Sequence, residues 1–272
     1  MLLRALDDVT RLVLPVTCPG CDRPDARWCA DCLAPLHAPL RRREQAAPRL
    51  DRLDGVAPLP VWAPAHYAGP VRGVVVAWKD RGRADLDGPL AAVARRAGAA
   101  LAGLLGAGAR PVARPFARAD PGPSPRAVLV VPAPTSAAAR RARGRDPVVV
   151  LAHGVAAGLR ASGTPARVVS LLVQRGRARD QVGLGSRARG ARLGAVGVAT
   201  GPLARRRVRE AARDRLPCLL VDDVLTTGAT LAASEAALVR AGLPVLGALV
   251  LAATPAPSRR REAVRGTFSE AL

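Results

Sequence analysis

The run Leu219-Leu220-Val221-Asp222-Asp223-Val224-Leu225-Thr226-Thr227-Gly228-Ala229-Thr230-Leu231 constrains the fold more than any other part of the chain. It reads as an apolar strand that stops at two acids, a short Thr/Gly loop, and a helix beginning at about Ala229. Apolar runs of the same kind recur at Val128–Val131, Val168–Val173 and Val245–Leu251, and read as three further strands. Helical patterns fall at Val71–Trp78, Leu90–Leu105, Val148–Leu159 and Ala229–Arg240. Strands and helices therefore alternate from Val128 to Leu251, and the strands are continuously apolar rather than two-faced. That pattern predicts an α/β domain with a parallel sheet covered on both faces.

In such a sheet, ligands settle in the crevice beyond the carboxyl ends of the strands. Thr226, Thr227, Gly228, Ala229 and Thr230 would surround the unpaired amides of a helix start, where an anion is well received. Glycine lets the backbone approach a phosphate, and the threonine hydroxyls add donors. Hydrogen bonds to a charged group contribute about 1.5–3 kcal/mol each and the helix dipole only about 0.3–1 kcal/mol, so the donors dominate. Asp222 and Asp223 would repel a bare phosphate. Sugar hydroxyls or a divalent cation suit them, and Mg²⁺ fits because it takes few carboxylates and keeps waters. A phosphate with hydroxyls beside it describes a ribose 5-phosphate. A Walker loop is excluded because the run has no lysine, and the glycine-rich dinucleotide fingerprint is absent.

Four of the five cysteines, Cys18, Cys21, Cys29 and Cys32, form a C-x2-C-x7-C-x2-C pattern. Two residues between thiolates let one tight turn aim both sulfurs at a single point, and Pro19-Gly20 supplies the turn. Two such knuckles match the tetrahedral demand of a structural zinc. A disulfide pair and a redox pair are the competing readings of the same spacing. Four thiolates leave no open coordination position, so this metal is expected to be structural. Cys218 sits in an apolar run and reads as a core residue.

The chain has 272 residues, enough for one main domain with smaller appendages. The expected organisation is an N-terminal helix and zinc-knuckle module over 1–36, a linker over 37–60, the α/β domain over 61–254 and a flexible tail over 255–272. Residues 111–125 read as a proline-rich insertion, and Arg175 to Arg192 as a mobile loop. Forty-two Lys+Arg against 21 Asp+Glu give a net charge of +21, and Lys79 is the one lysine. So large a charge attracts polyanions, though a chain-wide preference for arginine dilutes what any one cluster means. The longest apolar run, 97–109, is 13 residues with four glycines, whereas a membrane span needs about 20. Arg4, Asp7 and Asp8 interrupt the amino-terminal segment, which does not read as a signal peptide. A soluble, cytoplasmic chain is expected.

The 219–231 run resembles the phosphoribosyl-pyrophosphate-binding motif of type I phosphoribosyltransferases. With the knuckles in front, residues 12–252 resemble the ComF/GntX family of competence-associated phosphoribosyltransferase-like proteins. Gly69-Pro70-Val71-Arg72 and Lys79-Asp80-Arg81-Gly82 are similar to that family's segment ending in Lys-Tyr-x-Gly. Val131-Pro132-Ala133-Pro134 looks like its Val-Pro-Val-Pro turn, and Arg140-Arg141-Ala142-Arg143-Gly144 like its basic run. Gln181, Gly183-Leu184 and Arg189 fall where it has a mobile-loop pattern.

The resemblance implies a type I phosphoribosyltransferase-like core and Mg²⁺-dependent displacement of pyrophosphate from the ribose anomeric carbon. Asp222, Asp223, Lys79 and Arg143 become the catalytic candidates. Thr226 to Thr230, Pro132, Ala133, Arg140, Gln181 and Arg189 become the substrate-binding candidates. Two departures, Arg145-Asp146-Pro147 for the family's Phe-Asn-Gln and Arg192 for its loop asparagine, keep a non-catalytic ribose-phosphate sensor in view. The resemblance also suggests a single-stranded DNA-binding adaptor in DNA uptake, acting alone or with uptake proteins. Six scattered aromatics offer such an adaptor no stacking series.

Overall fold

The computed structural model describes residues 16–51, 55–106, 127–175 and 196–255. The expected N-terminal helix, the insertion 111–125, the loop residues Gln181 and Arg189, and nearly all of the tail lie outside them.

The helices are α1 (Ala30–Leu33), α2 (Gly69–Asp80), α3 (Asp87–Gly106), α4 (Ala137–Arg143), α5 (Pro147–Ala161), α6 (Pro202–Arg213) and α7 (Ala229–Arg240). The strands are β1 (Arg41–Arg42), β2 (Val61–Ala63), β3 (Ala65–His66), β4 (Val128–Pro132), β5 (Ala166–Val168), β6 (Leu172–Gln174), β7 (Val196–Val198), β8 (Cys218–Leu225) and β9 (Val245–Ala253). The fold is mixed α/β with a mostly parallel central sheet ordered β1-β2-β9-β8-β4-β5, and β3 continues the β2 edge along β9. Only the β1–β2 pairing is antiparallel in that sheet, while β6 and β7 form a separate antiparallel pair.

Both sheet faces are covered, as the apolar strands require. Leu219, Val221, Val130 and Leu249 pack with α2, α3 and α5 in one cluster. Leu220, Leu129, Ala248 and Val250 pack with α7 in the other. The first layer is unusually close. A methyl group on Gly158 of α5 would lie 1.9 Å from the Arg95 carbonyl oxygen of α3, and one on Gly98 2.4 Å from that of Val155. Glycine there lets two helical backbones touch.

Three sequence expectations change. The run Val168–Val173 is two short strands in different sheets, because the chain leaves β4 after Val169 donates to the Val130 carbonyl oxygen at 3.0 Å. The strand of the Thr/Gly run does not stop at the acids. Asp222 and Val224 stay in register with Val250 and Ala252 of β9, so the ladder carries β8 through to Leu225.

Residues 37–60, expected as a linker, are built into the domain where they are described. Glu44, 4% exposed, accepts from Arg42 Nε at 2.7 Å and from the backbone N–H groups of Arg43 (3.1 Å) and Val61 (3.2 Å). Burial opposes its charge, but Arg42 and the backbone N–H groups of Glu44 itself and Val61 outweigh it and hold the carboxyl below its ordinary value. Ala47 and Leu50 are buried in the α7-side cluster.

Candidate functional site

β4 leads through α4 and α5 to β5 on one side of it, whereas β8 lies on its other side and leads through α7 to β9. α5 covers one face and α7 the opposite face. The crevice between the carboxyl ends of β4 and β8 is therefore a topological switch point, the position where open α/β sheets bind ligands. β4 ends at Pro132 opposite Val221, and the Ala133 amide donates to the Val221 carbonyl oxygen at 2.8 Å. Beyond that bond β8 keeps β9 as its neighbour but loses β4, and the gap opens at Asp222 and Asp223.

The Thr/Gly loop stands at this rim. Thr226, Thr227 and Thr230 are exposed and Gly228 is buried. Gly228 has φ +79°, and a methyl group on it would fall 2.6 Å from Leu50 Cγ, so conformation and space both demand glycine. The Ala229 amide donates to Thr227 Oγ1 at 3.4 Å.

Charges from three elements converge beside the loop. Lys79, at the end of α2, places Nζ 2.6 Å from Asp223 Oδ2, and the Asp223 side chain is 3% exposed. Arg143, at the end of α4, pairs through Nη2 with Asp80 Oδ1 at 3.1 Å. Neighbouring residues of α2 thus hold both a β8 acid and an α4 cation. Burial works against the Lys79 charge, yet Asp223, helped by Asp222 and Asp80, keeps its pKa above the ordinary lysine value.

Asp222 behaves differently: burial first, then repulsion from Asp223, push its carboxyl up to about 8. A carboxyl with a raised folded pKa stabilises the fold while protonated and loses that contribution as pH rises. Unliganded protein is therefore expected to lose stability as pH rises through part of the window from 3.8 to about 8. Asp222→Asn should flatten that slope in melts run at successive pH values, and an unchanged slope would refute the assignment.

The sequence-selected residues separate into groups. Asp222, Asp223, Thr226 to Thr230, Pro132 and Ala133 share the switch-point rim, with Lys79 and Arg143 tied to it. Arg140 is exposed on α4 and makes no bond to the group. Gln181 and Arg189 lie outside the described residues. Sequence reasoning missed Asp80 as the link between α2 and Arg143, and it missed the segment 44–50 packed against the loop.

The departure Arg145-Asp146 has a visible structural use. Arg145 donates to the Trp78 carbonyl oxygen, pairs with Asp87 and lies 5.7 Å over the Trp78 ring. Asp146 accepts from Thr135 Oγ1 at 3.1 Å.

The second centre is the cysteine cluster. Its four Sγ atoms lie within 4.8 Å of one another, with Cys18–Cys29 at 3.6 Å and Cys21–Cys29 at 3.7 Å. Zn–S bonds of about 2.3 Å in a tetrahedron require about 3.8 Å between sulfurs. The cluster could thus hold a metal such as zinc with little adjustment, and none of the four cysteines is in a disulfide. Burial raises the Cys18 pKa, but backbone N–H groups of Gly20, Cys21 and Cys29 outweigh it and bring the thiol to about 7, whereas burial and the neighbouring thiols push Cys32 up, so the four thiols share their protons unequally without a metal.

The module is welded to the domain. Cys18, Cys29 and Cys32 pack in one cluster with Val71, Val74 and Trp78. Arg83 donates to the carbonyl oxygens of Thr17 (3.3 Å) and Arg27 (2.6 Å) while pairing with Asp85.

No family model matches this chain, and no curated protein matches it. No described helix is long and apolar enough to cross a membrane.

Proposed function

We propose that the chain is a phosphoribosyltransferase-like protein of the ComF/GntX kind, binding phosphoribosyl pyrophosphate at the β4/β8 switch point. The observation that carries this reading is the loop of exposed Thr226, Thr227 and Thr230 around buried Gly228 at the carboxyl rim, separated from the acids by two residues and following the strand of the Lys79–Asp223 pair. The loop amides and hydroxyls would take the 5′-phosphate, and Asp222 and Asp223 the ribose hydroxyls. The Pro132-Ala133 turn would face the pyrophosphate. Asp223 is already committed to Lys79, so Mg²⁺ would be held mainly through pyrophosphate and water, in keeping with its reluctance to dehydrate. Bound there, the ion would neutralise charge on the leaving group. Lys79 and Arg143 would add fixed positive charge, and the transfer would proceed by placement and electrostatics.

The test is thermal. Phosphoribosyl pyrophosphate with Mg²⁺ is expected to raise the melting temperature, by about 2.7 kcal/mol of added stability at a hundredfold excess over Kd. Asp222→Asn combined with Asp223→Asn should abolish the shift. No shift for the native protein at millimolar ligand would end this reading. Pyrophosphate release from a metabolite pool separates a transferase from a binding-only sensor.

A second reading, the single-stranded DNA adaptor, draws on α6. That helix exposes Arg205, Arg206, Arg207, Arg209 and Arg213, and Glu210 is paired with Arg206. A steep fall of strand binding with salt, lost on neutralising α6 alone, would favour it.

A further inference from the structure

The proposed phosphate loop carries no cation of its own. From Thr226 to Leu231 it has hydroxyls, amides and glycine but no lysine or arginine. The nearby cations are engaged: Lys79 with Asp223, and Arg143 with Asp80. A phosphate dianion held there would find neither of these cations free to neutralise it.

The segment 44–50 brings the main chain of an arginine to this place. Its base is fixed by buried Glu44, which ties it to Arg42, Arg43 and Val61. Two hydrogen-bonded turns follow, from the Ala47 amide to Glu44 and from the Leu50 amide to Ala47. Ala47 and Leu50 then pack at Gly228, where an added methyl group would lie 3.1 Å from Ala47 Cβ and 2.6 Å from Leu50 Cγ. Between them the Arg49 amide donates to the Thr227 carbonyl oxygen at 3.0 Å. This contact spends the carbonyl and leaves the Thr226 and Thr227 side chains exposed. The Arg49 side chain is exposed, and it has no ion-pair partner among the described residues.

The geometry points to Arg49 as a ligand-binding residue, delivered by the 44–50 strap to the Thr226–Thr230 loop to supply the cation that a bound sugar phosphate needs. The inference rests on the ribose-phosphate reading of the loop and adds a residue from outside the sheet to it. Arginine suits the role because its planar fork can take two phosphate oxygens at once. The strap also makes the charge local. Its main chain is bonded to the loop itself, so Arg49 moves with the site.

Titration calorimetry with ribose 5-phosphate and with unphosphorylated ribose tests this on the full chain. Arg49→Ala is expected to weaken ribose 5-phosphate at least about tenfold, the loss of a charged hydrogen bond, and to leave ribose unaffected. Arg49→Lys should recover part of the loss. Arg96→Ala, an exposed arginine on α3, serves as the bulk-charge control and should bind like the native protein. Arg49→Ala binding within about twofold of native would overturn the role of Arg49 while leaving the loop as a site. Equal losses in Arg49→Ala and Arg96→Ala would overturn it in favour of net charge. Failure of the native protein to bind either ribose 5-phosphate or phosphoribosyl pyrophosphate would remove both inferences together. Arg49 is on the surface, so its variants should melt at the native temperature, which confirms that the comparison is between folded proteins.

Discussion

Chelating the zinc that the four-cysteine cluster is suited to hold is expected to lower the melting temperature of the whole protein by about 10–20 °C, not merely to loosen its amino-terminal end. Structural zinc releases on the order of 10–16 kcal/mol on binding its thiolates, more than a short knuckle module could gain by burying apolar surface. The loss propagates because Cys18, Cys29 and Cys32 share a packed cluster with Trp78, Val71 and Val74 of α2. A loss of about 5 kcal/mol reaching the domain corresponds to that shift at about 2–4 °C per kcal/mol. Metal analysis of the purified protein should give one zinc per chain, and Cys29→Ser with Cys32→Ser should reproduce the effect of the chelator. Protein free of zinc, or one whose melt ignores chelation, would show that the thiols serve another purpose.

The second large effect concerns the pair at the rim. Lys79→Met is expected to destabilise the protein by about 2–3 kcal/mol, because it strands Asp223, 3% exposed, without its cation. The figure is set below that for a fully buried pair because the Lys79 side chain is 37% exposed and partly solvated. Lys79→Met combined with Asp223→Asn should recover most of the loss, since the uncompensated charge goes with its partner. A double variant as unstable as the single one would mean that Lys79 acts through packing of its stem. Ligand binding gives a separate readout. The double variant should remain defective for phosphoribosyl pyrophosphate although its stability has returned.

The parts legible in the sequence are those where one physical requirement dictates residue type locally. β4 and β9 are continuous apolar runs because both faces of a parallel sheet are covered. Gly228 is dictated by its backbone angle and by Leu50, and the cysteines by the geometry of a shared ligand point. Other parts depend on partners remote in the chain. Nothing near Lys79 announces Asp223 as its partner. Leu50 and Ala47 lie in an arginine- and proline-rich stretch whose composition suggests a tether, and their burial follows from the loop they meet. The division of Val168–Val173 between two sheets is equally hidden, since an apolar run does not say which neighbour it will find. α6 went unread because Val208, Ala211 and Ala212 are too few among its arginines to mark a buried face.

The backbone contact between α3 and α5 has a consequence for motion. Where a carbonyl oxygen rests in the space of a missing side chain, neither helix can roll or slide without colliding with the other. The layer beneath the Lys79–Asp223 pair is then a stiff floor. Rearrangement that admits or releases a ligand then falls to the other side, where, among the described residues, the 44–50 segment meets the Thr226–Gly228 turn through the Arg49 amide and the Ala47 and Leu50 side chains.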